Sequence, residues 1–308
     1  MIDSGRKRGA APGGGAPGSE EGAPSVRRTF GTPAAWAAAG IVVALVVLVY
    51  HDVFATLWRT WGENPNYSHG YLIPPVAAFL LWYRRDAFAG ARGRGSGWGL
   101  AVVAVALLGH IVSIRAGVFM TQGYSFVLLL YGLALLFFGR AATGTVWFPL
   151  GYLIFMLPVP PFLMRHLSFR LKDFAARMGA SAAHTIGIPL VRTGMTIHMP
   201  GGSLRIADPC SGLRSLIALV ALGALFAFLT RGPLWKRIVL FLAALPLAVF
   251  ANIVRISILC VVADIWGVET ATGLFHDFSG FFLFMIAFVG LAIVRAALRF
   301  GPPKEEAA

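Results

Sequence analysis

Apolar runs recur along most of this chain, separated by short stretches rich in Gly, Pro and Arg. They cover about 35–58, 69–83, 98–115, 122–139, 144–161, 212–230, 237–264 and 279–298, each near the length a helix needs to cross a bilayer. The second run is short and carries Pro74 and Pro75. The seventh is long and contains Pro246, which predicts a kink or a tilt. Between the fifth and sixth runs lies the one long connection. Its first part, roughly 162–186, places Leu163, Leu167, Leu171, Phe174 and Met178 at helical spacing, with Arg165, Lys172, Asp173 and Arg177 off that stripe. Two readings stand for it, an interfacial helix lying on the membrane or a helix packed against the spans. Residues 193–199 then alternate, Pro200-Gly201-Gly202 signals a turn, and Leu204 and Ile206 resume the alternation, which predicts a small hairpin. The expected fold class is therefore an all-α integral membrane protein. It has about eight transmembrane helices, with one amphipathic helix and a small β-hairpin in a long extracytoplasmic loop.

Composition agrees. Hydrophobic residues make up 57% of the chain and charged residues 13%, too apolar for a soluble domain of this size. The net charge of +13 is spread through short loops rather than gathered in a patch, so the positive-inside bias explains it better than nucleic acid does. Arg6, Lys7, Arg8, Arg27 and Arg28 precede the first run. Arg84, Arg85, Arg92 and Arg94 follow the second, Arg140 the fourth, Arg231, Lys236 and Arg237 the sixth, and Arg295, Arg299 and Lys304 the eighth. If eight spans alternate, all of these fall on the cytoplasmic side of a cytoplasmic (inner) membrane, with both termini inside. Residues 1–33 read as a disordered cytoplasmic tail, 34–298 as the multi-spanning domain and 299–308 as a short cytoplasmic tail. The chain's two cysteines make no disulfide framework. Neither Cys nor His occurs at metal-ligand spacing, and no cofactor is implied.

The candidate chemistry gathers near one membrane face. In Asp208-Pro209-Cys210-Ser211-Gly212-Leu213-Arg214-Ser215, Asp208 suits an N-cap and Pro209 the first helical position, so Cys210 falls in the first turn. There the helix dipole and Arg214, four residues on, favour a thiolate, while Asp208 opposes it. Ser211 is a supporting neighbour. The alternative is a cysteine that only packs. In the seventh run Asn252 and Arg255 share a helical face, with Arg255 about nine residues, or roughly 13 Å, below the outer end. An arginine at that depth faces a protein interior or wet cavity, or else snorkels to the headgroups. His276, beside Asp277 in the last outer loop, has the pKa range of a general acid or base, although a lone loop histidine is usually only solvated. His69, in Tyr67-Ser68-His69-Gly70, is a supporting group, a substrate contact or an interfacial residue. His51, His110, His166, His184 and His198 read as structural. Cys260, five residues beyond Arg255, is rotated about 140° from it and is expected to be buried and inert.

At these residues the sequence resembles the exosortase/archaeosortase family of membrane-embedded cysteine transpeptidases. The resemblance rests on 208–215, on Asn252-Ile253-Val254-Arg255-Ile256, on the His276 loop, on Asn66-Tyr67-Ser68-His69-Gly70-Tyr71-Leu72-Ile73-Pro74, and on the Gly194…Pro200-Gly201 stretch, in order over roughly 59–298. It implies Cys210 as nucleophile, with Arg255 and His276 completing the site. It also implies partners: exported, membrane-tethered proteins whose C-terminal sorting signal is a short Pro-Glu-Pro-like motif, an apolar helix and a basic cluster. Membrane lipid is the other partner; nucleic acid is not one. Two rival classes remain at this stage. A transporter would place its polar groups at the midplane in repeated halves, which the sequence lacks. A non-catalytic factor in export of envelope protein or polysaccharide would tolerate loss of the thiol.

Overall fold

The computed structural model describes residues 32–206 and 213–299. The tails at 1–31 and 300–308, and the segment 207–212 with Asp208, Cys210 and Ser211, lie outside the described residues. The chain divides at Val46–Val47 into two compact units. The first, taken by itself, is the opening stretch of helix α1 (Pro33–Glu63), with Trp36, Ile41, Val43 and Leu45 exposed. The second carries the rest of α1, then α2 (Ile73–Tyr83), α3 (Arg85–Gly90), α4 (Trp98–Arg115), α5 (Phe119–Thr145), α6 (Trp147–Tyr152) and α7 (Pro161–Thr185). Strands β1 (Val191–Thr193), β2 (Thr196–Met199) and β3 (Gly202–Arg205) follow, and then α8 (Leu213–Leu229), α9 (Leu234–Trp266), α10 (Val268–Thr272) and α11 (Leu274–Ala297).

Among the described residues five helices are long and apolar enough to cross a membrane: α1, α4, α5, α9 and the Gly280–Ala297 part of α11. Their outward faces are apolar, as with Leu100, Leu108 and Val112 on α4 and Phe281, Phe288 and Ile293 on α11. Such surfaces suit lipid and not water. The remaining runs predicted as spans give shorter elements. Pro74 and Pro75 start α2 at Ile73, because proline suits a first helical turn and cannot donate within one. The residues before it form a separate 3-10 turn, Pro65–Tyr71. The run at 144–161 is divided at Val146, outside helical geometry, into the end of α5, α6 and a second 3-10 turn, Leu153–Met156.

Helix α9 is the hub of the second unit. Its 33 residues continue through Pro246. Ala248 and Ala251 pack with Leu216 and Leu219 of α8 and Leu283 and Ala287 of α11. Further along, Leu240 and Ala244 meet Leu291 of α11, with Leu222 and Phe226 of α8 beside them. Residue numbers fall on α8 and α11 as they rise on α9, so both neighbours run antiparallel to it. The other face of α9, at Ile256, Leu259, Cys260 and Ala263, packs on α7 and the sheet.

The long connection departs from the expected pattern in two ways. The stripe through Leu171, Phe174 and Met178 does not face one buried side, since Leu171 packs while Phe174 and Met178 stay exposed. The face of α7 buried against α9 is made instead of Ala175, Ala176, Gly179, Ala180 and Ala183. Small residues let two backbones approach closely, and a Cβ added at Gly179 would lie 2.6 Å from Ile256 Cγ2. The reading of a helix packed against a span holds for its C-terminal half, while Phe162, Phe169 and Phe174 stay exposed. The expected hairpin is a three-stranded antiparallel meander in the order β1-β2-β3. Val191 pairs with His198, and Ile197 with Leu204. The extra strand arises because Gly194, at φ 61°, turns the chain where the alternation read as continuous. Asp173 ties the sheet to α7 by accepting from Arg192 Nη1 at 2.9 Å and Arg177 Nη2 at 2.6 Å. These two guanidiniums, Arg192 foremost, hold its carboxyl below the usual carboxylate range.

Replacing Gly179 by Val drives a branched side chain into Ile256. The expected cost is about 1–3 kcal/mol, read as a Tm several degrees lower in detergent. An unchanged Tm would mean that α7 does not pack on α9 as described.

Candidate active site

The alanines of α9 form a stripe at spacings of four and three, Ala244, Ala248 and Ala251, and Arg255 is the next position on it. α8 and α11 press on alanine along this seam, and one turn further on α9 carries a guanidinium. Arg255 is 8% exposed and Asn252, beside it on the same face, 3%. Burial within the bundle, rather than snorkelling, is the state observed for this arginine. The amide of Asn252 leaves Oδ1 buried without a hydrogen-bond partner.

The antiparallel register aligns three chain segments at this end of the bundle. Arg255 lies about 6 Å along α9 beyond Ala251, at 1.5 Å per residue. From Leu216, in the cluster with Ala248 and Ala251, α8 reaches its first described residue, Leu213, in about 4.5 Å. From Leu283, α11 reaches His276 in about 10 Å. Arg214 is the second residue of α8 and His276 the third of α11, a helical turn where the sequence predicted a loop. Cys210 lies outside the described residues, between Ile206 and Leu213. Ile206, just past β3, is buried in the cluster that contains Ile256 and Cys260 of α9, and its N–H donates to Met195 O at 2.9 Å. Leu213 opens α8, which packs along α9.

A cap of aromatic and polar side chains sits against α8. Phe228, near the end of α8, stacks on Phe148 of α6 at 4.1 Å and carries the Arg84 guanidinium 4.9 Å above its ring. The two strings of chain from Arg84 back through α2 and from Phe148 forward through α6 therefore run toward the other end of α8, where their 3-10 turns lie. Three side-chain bonds fasten the turns together. Trp61 Nε1 donates to Met156 O at 2.9 Å, His69 Nε2 donates to Phe155 O at 3.1 Å, and Val159 N donates to Tyr67 Oη at 3.2 Å. Gly70 is required here, since a Cβ would come within 2.3 Å of Trp61 Nε1. Because a carbonyl only accepts, the bond to Phe155 fixes the proton on Nε2 and leaves Nδ1 a bare acceptor. That Nδ1 is buried and unpartnered.

A family model described as transmembrane exosortase (Exosortase_EpsH) matches residues 61–293. The chain belongs to the transmembrane exosortase family. No curated protein and no solved structure matches it. The matched stretch begins at Trp61 of the cap and ends within α11, so it takes in the cap, the sheet, the flanks of Cys210 and the α8–α9–α11 bundle.

In this exosortase the second cysteine sits apart from the arginine. Cys260 is free and fully buried among the α7 and sheet contacts, on a different face of α9 from Arg255, as the rotation between them predicts. The described residues contain no group of three or more Cys, His, Asp or Glu able to hold a metal. The feature that sequence reading missed is the cap. Its partners are backbone carbonyls and an N–H some 86 to 95 residues away, for which no residue type is a signal. Only the neighbouring Trp61, Tyr67, His69 and Gly70 hinted that something was built there.

The tautomer of His69 can be checked directly. Nitrogen-15 NMR of histidine-labelled protein should show it as the Nε2–H form, with Nδ1 unprotonated. A proton on Nδ1 in place of Nε2 would contradict the bond to Phe155.

Proposed function

We propose that this exosortase is a cysteine transpeptidase or protease acting on C-terminal sorting signals of exported proteins, with Cys210, Arg255 and His276 as its catalytic groups. The observation that carries this reading is the register of α8, α9 and α11. One buried arginine on α9 lies level with the start of α8, just after Cys210, and near the first turn of α11, which holds His276. Family membership supplies the class of chemistry.

The remaining architecture follows the same reading. Eight apolar segments traverse the membrane: the five long helices, α8, and the two strings formed by α2 and α6 with their 3-10 turns. Residues 34–298 form the membrane domain, between cytoplasmic tails at 1–33 and 299–308. Arg84 and Arg237 lie at the α8 C-terminal end of the bundle, Arg237 donating to Ala227 O at 2.8 Å, and this basic end faces the cytoplasm. The end with Arg255, the sheet and the cap faces outward from the inner membrane. A substrate's apolar helix then lies beside the spans with its basic cluster inside and its motif at the outer lip.

Each group has a task there. The thiolate of Cys210, favoured by the helix start and Arg214 and opposed by Asp208, attacks the carbonyl carbon after the motif. Arg255 stabilises the oxyanion of the tetrahedral intermediate, and its burial lets that charge act in a poorly screened setting. Asn252 holds the guanidinium's surroundings polar. His276 gives a proton to the leaving nitrogen as the C–N bond breaks, which leaves a thioester on Cys210 and frees the C-terminal fragment. An amine or water then attacks the thioester, its proton passes to His276, and the sulfur departs as thiolate. Transfer gives a new amide and hydrolysis a carboxylate.

Two variants test this. Cys210→Ala should abolish processing of a co-expressed tripartite-tail protein and leave full-length substrate in the membrane; normal processing would remove the thiol from the mechanism. Arg255→Lys keeps the charge but loses the planar donor fork, and should lower turnover on the order of 100-fold with the protein still folded. Wild-type turnover would make Arg255 a packing residue.

A further inference from the structure

We propose that His69 Nδ1 is a substrate contact: it accepts a hydrogen bond from a backbone N–H of the extended peptide that enters the site. The inference rests on the functional reading above and names a further specificity-determining group for it. The cap looks built to present this atom. Nε2–H is committed to the Phe155 carbonyl at 3.1 Å, which fixes the tautomer and holds the ring. Tyr67 and Trp61 on either side are tied to Val159 and Met156. Gly70 is pressed against Trp61, so the turn has little room to rotate the imidazole away. What remains is a buried acceptor without a partner. Buried polar atoms in folded proteins nearly always find partners, and an exception held this firmly asks for an external one.

The chemistry of the missing partner is narrowed by a second orphan. Asn252 Oδ1 on α9 is also buried and unpartnered. It adjoins Arg255 toward the same end of α8 that carries the cap. Two acceptors call for donors, and an extended peptide offers them: N–H groups that point to one side recur at about 6.8 Å, two residues of strand. A carboxylate or phosphate would bring acceptors to acceptors. His69 is thus a contact that positions the chain to be cut, and no proton transfer is assigned to it.

The test uses full-length protein in lipid vesicles with a semisynthetic tail: a Pro-Glu-Pro motif, an apolar helix and a basic end. Amide-to-ester exchange, one position at a time through and beside the motif, deletes single N–H donors from the substrate. At one position the ester should raise KM about tenfold with the wild-type protein. His69→Gln keeps a donor for Phe155 but loses the acceptor. It should raise KM by a similar factor for the all-amide tail, and the ester at that position should then add nothing. His69→Asn, whose amide oxygen falls near the place of Nδ1, should recover part of the loss. The proposal is overturned if no ester distinguishes wild type from His69→Gln, or if that variant lowers kcat at unchanged KM, which would make His69 a proton-transfer group. The ester series on unmodified protein decides the matter even if the variants fold poorly. A wild-type protein that cuts no such tail ends the functional reading and this inference together; one that cuts it with no ester effect ends only the inference.

Discussion

The structure depends on how closely helices can approach α9. Membrane helices gain little from a hydrophobic effect between them, because lipid tails are as apolar as leucine, and they hold together through packing. Here the packing surfaces are unusually small. Ala244, Ala248 and Ala251 receive α8 and α11, while Ala175, Ala176, Gly179, Ala180 and Ala183 of α7 lie on the opposite side near Ile256. Close approach excludes both lipid and water from the seam. A polar group placed in that seam is then desolvated, and it is retained only where neighbouring protein makes its burial tolerable. Arg255 and Asn252 occupy the last turns of the seam, where the antiparallel helices α8 and α11 begin. The same packing therefore explains why the bundle is rigid and why its polar chemistry sits at one end.

Sequence patterning was informative where an element makes its own hydrogen bonds. The run at 98–115 is α4 to the residue, and the seventh run is α9 extended by about one turn, because an apolar helix in lipid satisfies its backbone internally. The relation between Arg255 and Cys260 was also legible, since helical rotation is fixed once the helix is. Patterning was less informative where partners are distant. Hydropathy cannot see that Pro74 and Pro75 restart a helix rather than interrupt one, or that residues after Tyr152 tighten into a 3-10 turn fastened to Trp61 and His69. Nor could a leucine stripe reveal that α7 packs through its alanines, because small residues carry little hydropathy signal and act by letting backbones meet. The register of the bundle was not legible, since it follows from how the leucines of α8 pack on the alanines of α9.

The cap and the bundle solve different halves of one physical problem. A group that stabilises developing charge gains from desolvation, because the field of a guanidinium is screened less inside a packed seam. In the proposed reaction a peptide must also enter from a wet surface and leave again. Burial of Arg255 on the hub helix suits the first need, and its position near the described starts of α8 and α11 suits the second. The 3-10 turns add a rim that does not rely on loop stiffness, since Trp61, Tyr67 and His69 each reach backbone atoms of the 155–159 stretch. Rigid rims cost binding less conformational entropy than mobile ones. The sheet is fastened as well: Asp173 ties it to α7, and the Ile206 N–H donates to Met195 O at the end of β3. Ile206 and α8 pack on the same helix α9 that carries Arg255. Any change that loosens α9 should be felt first in the placement of Ile206 and α8 relative to Arg255 and only later in whether the protein folds.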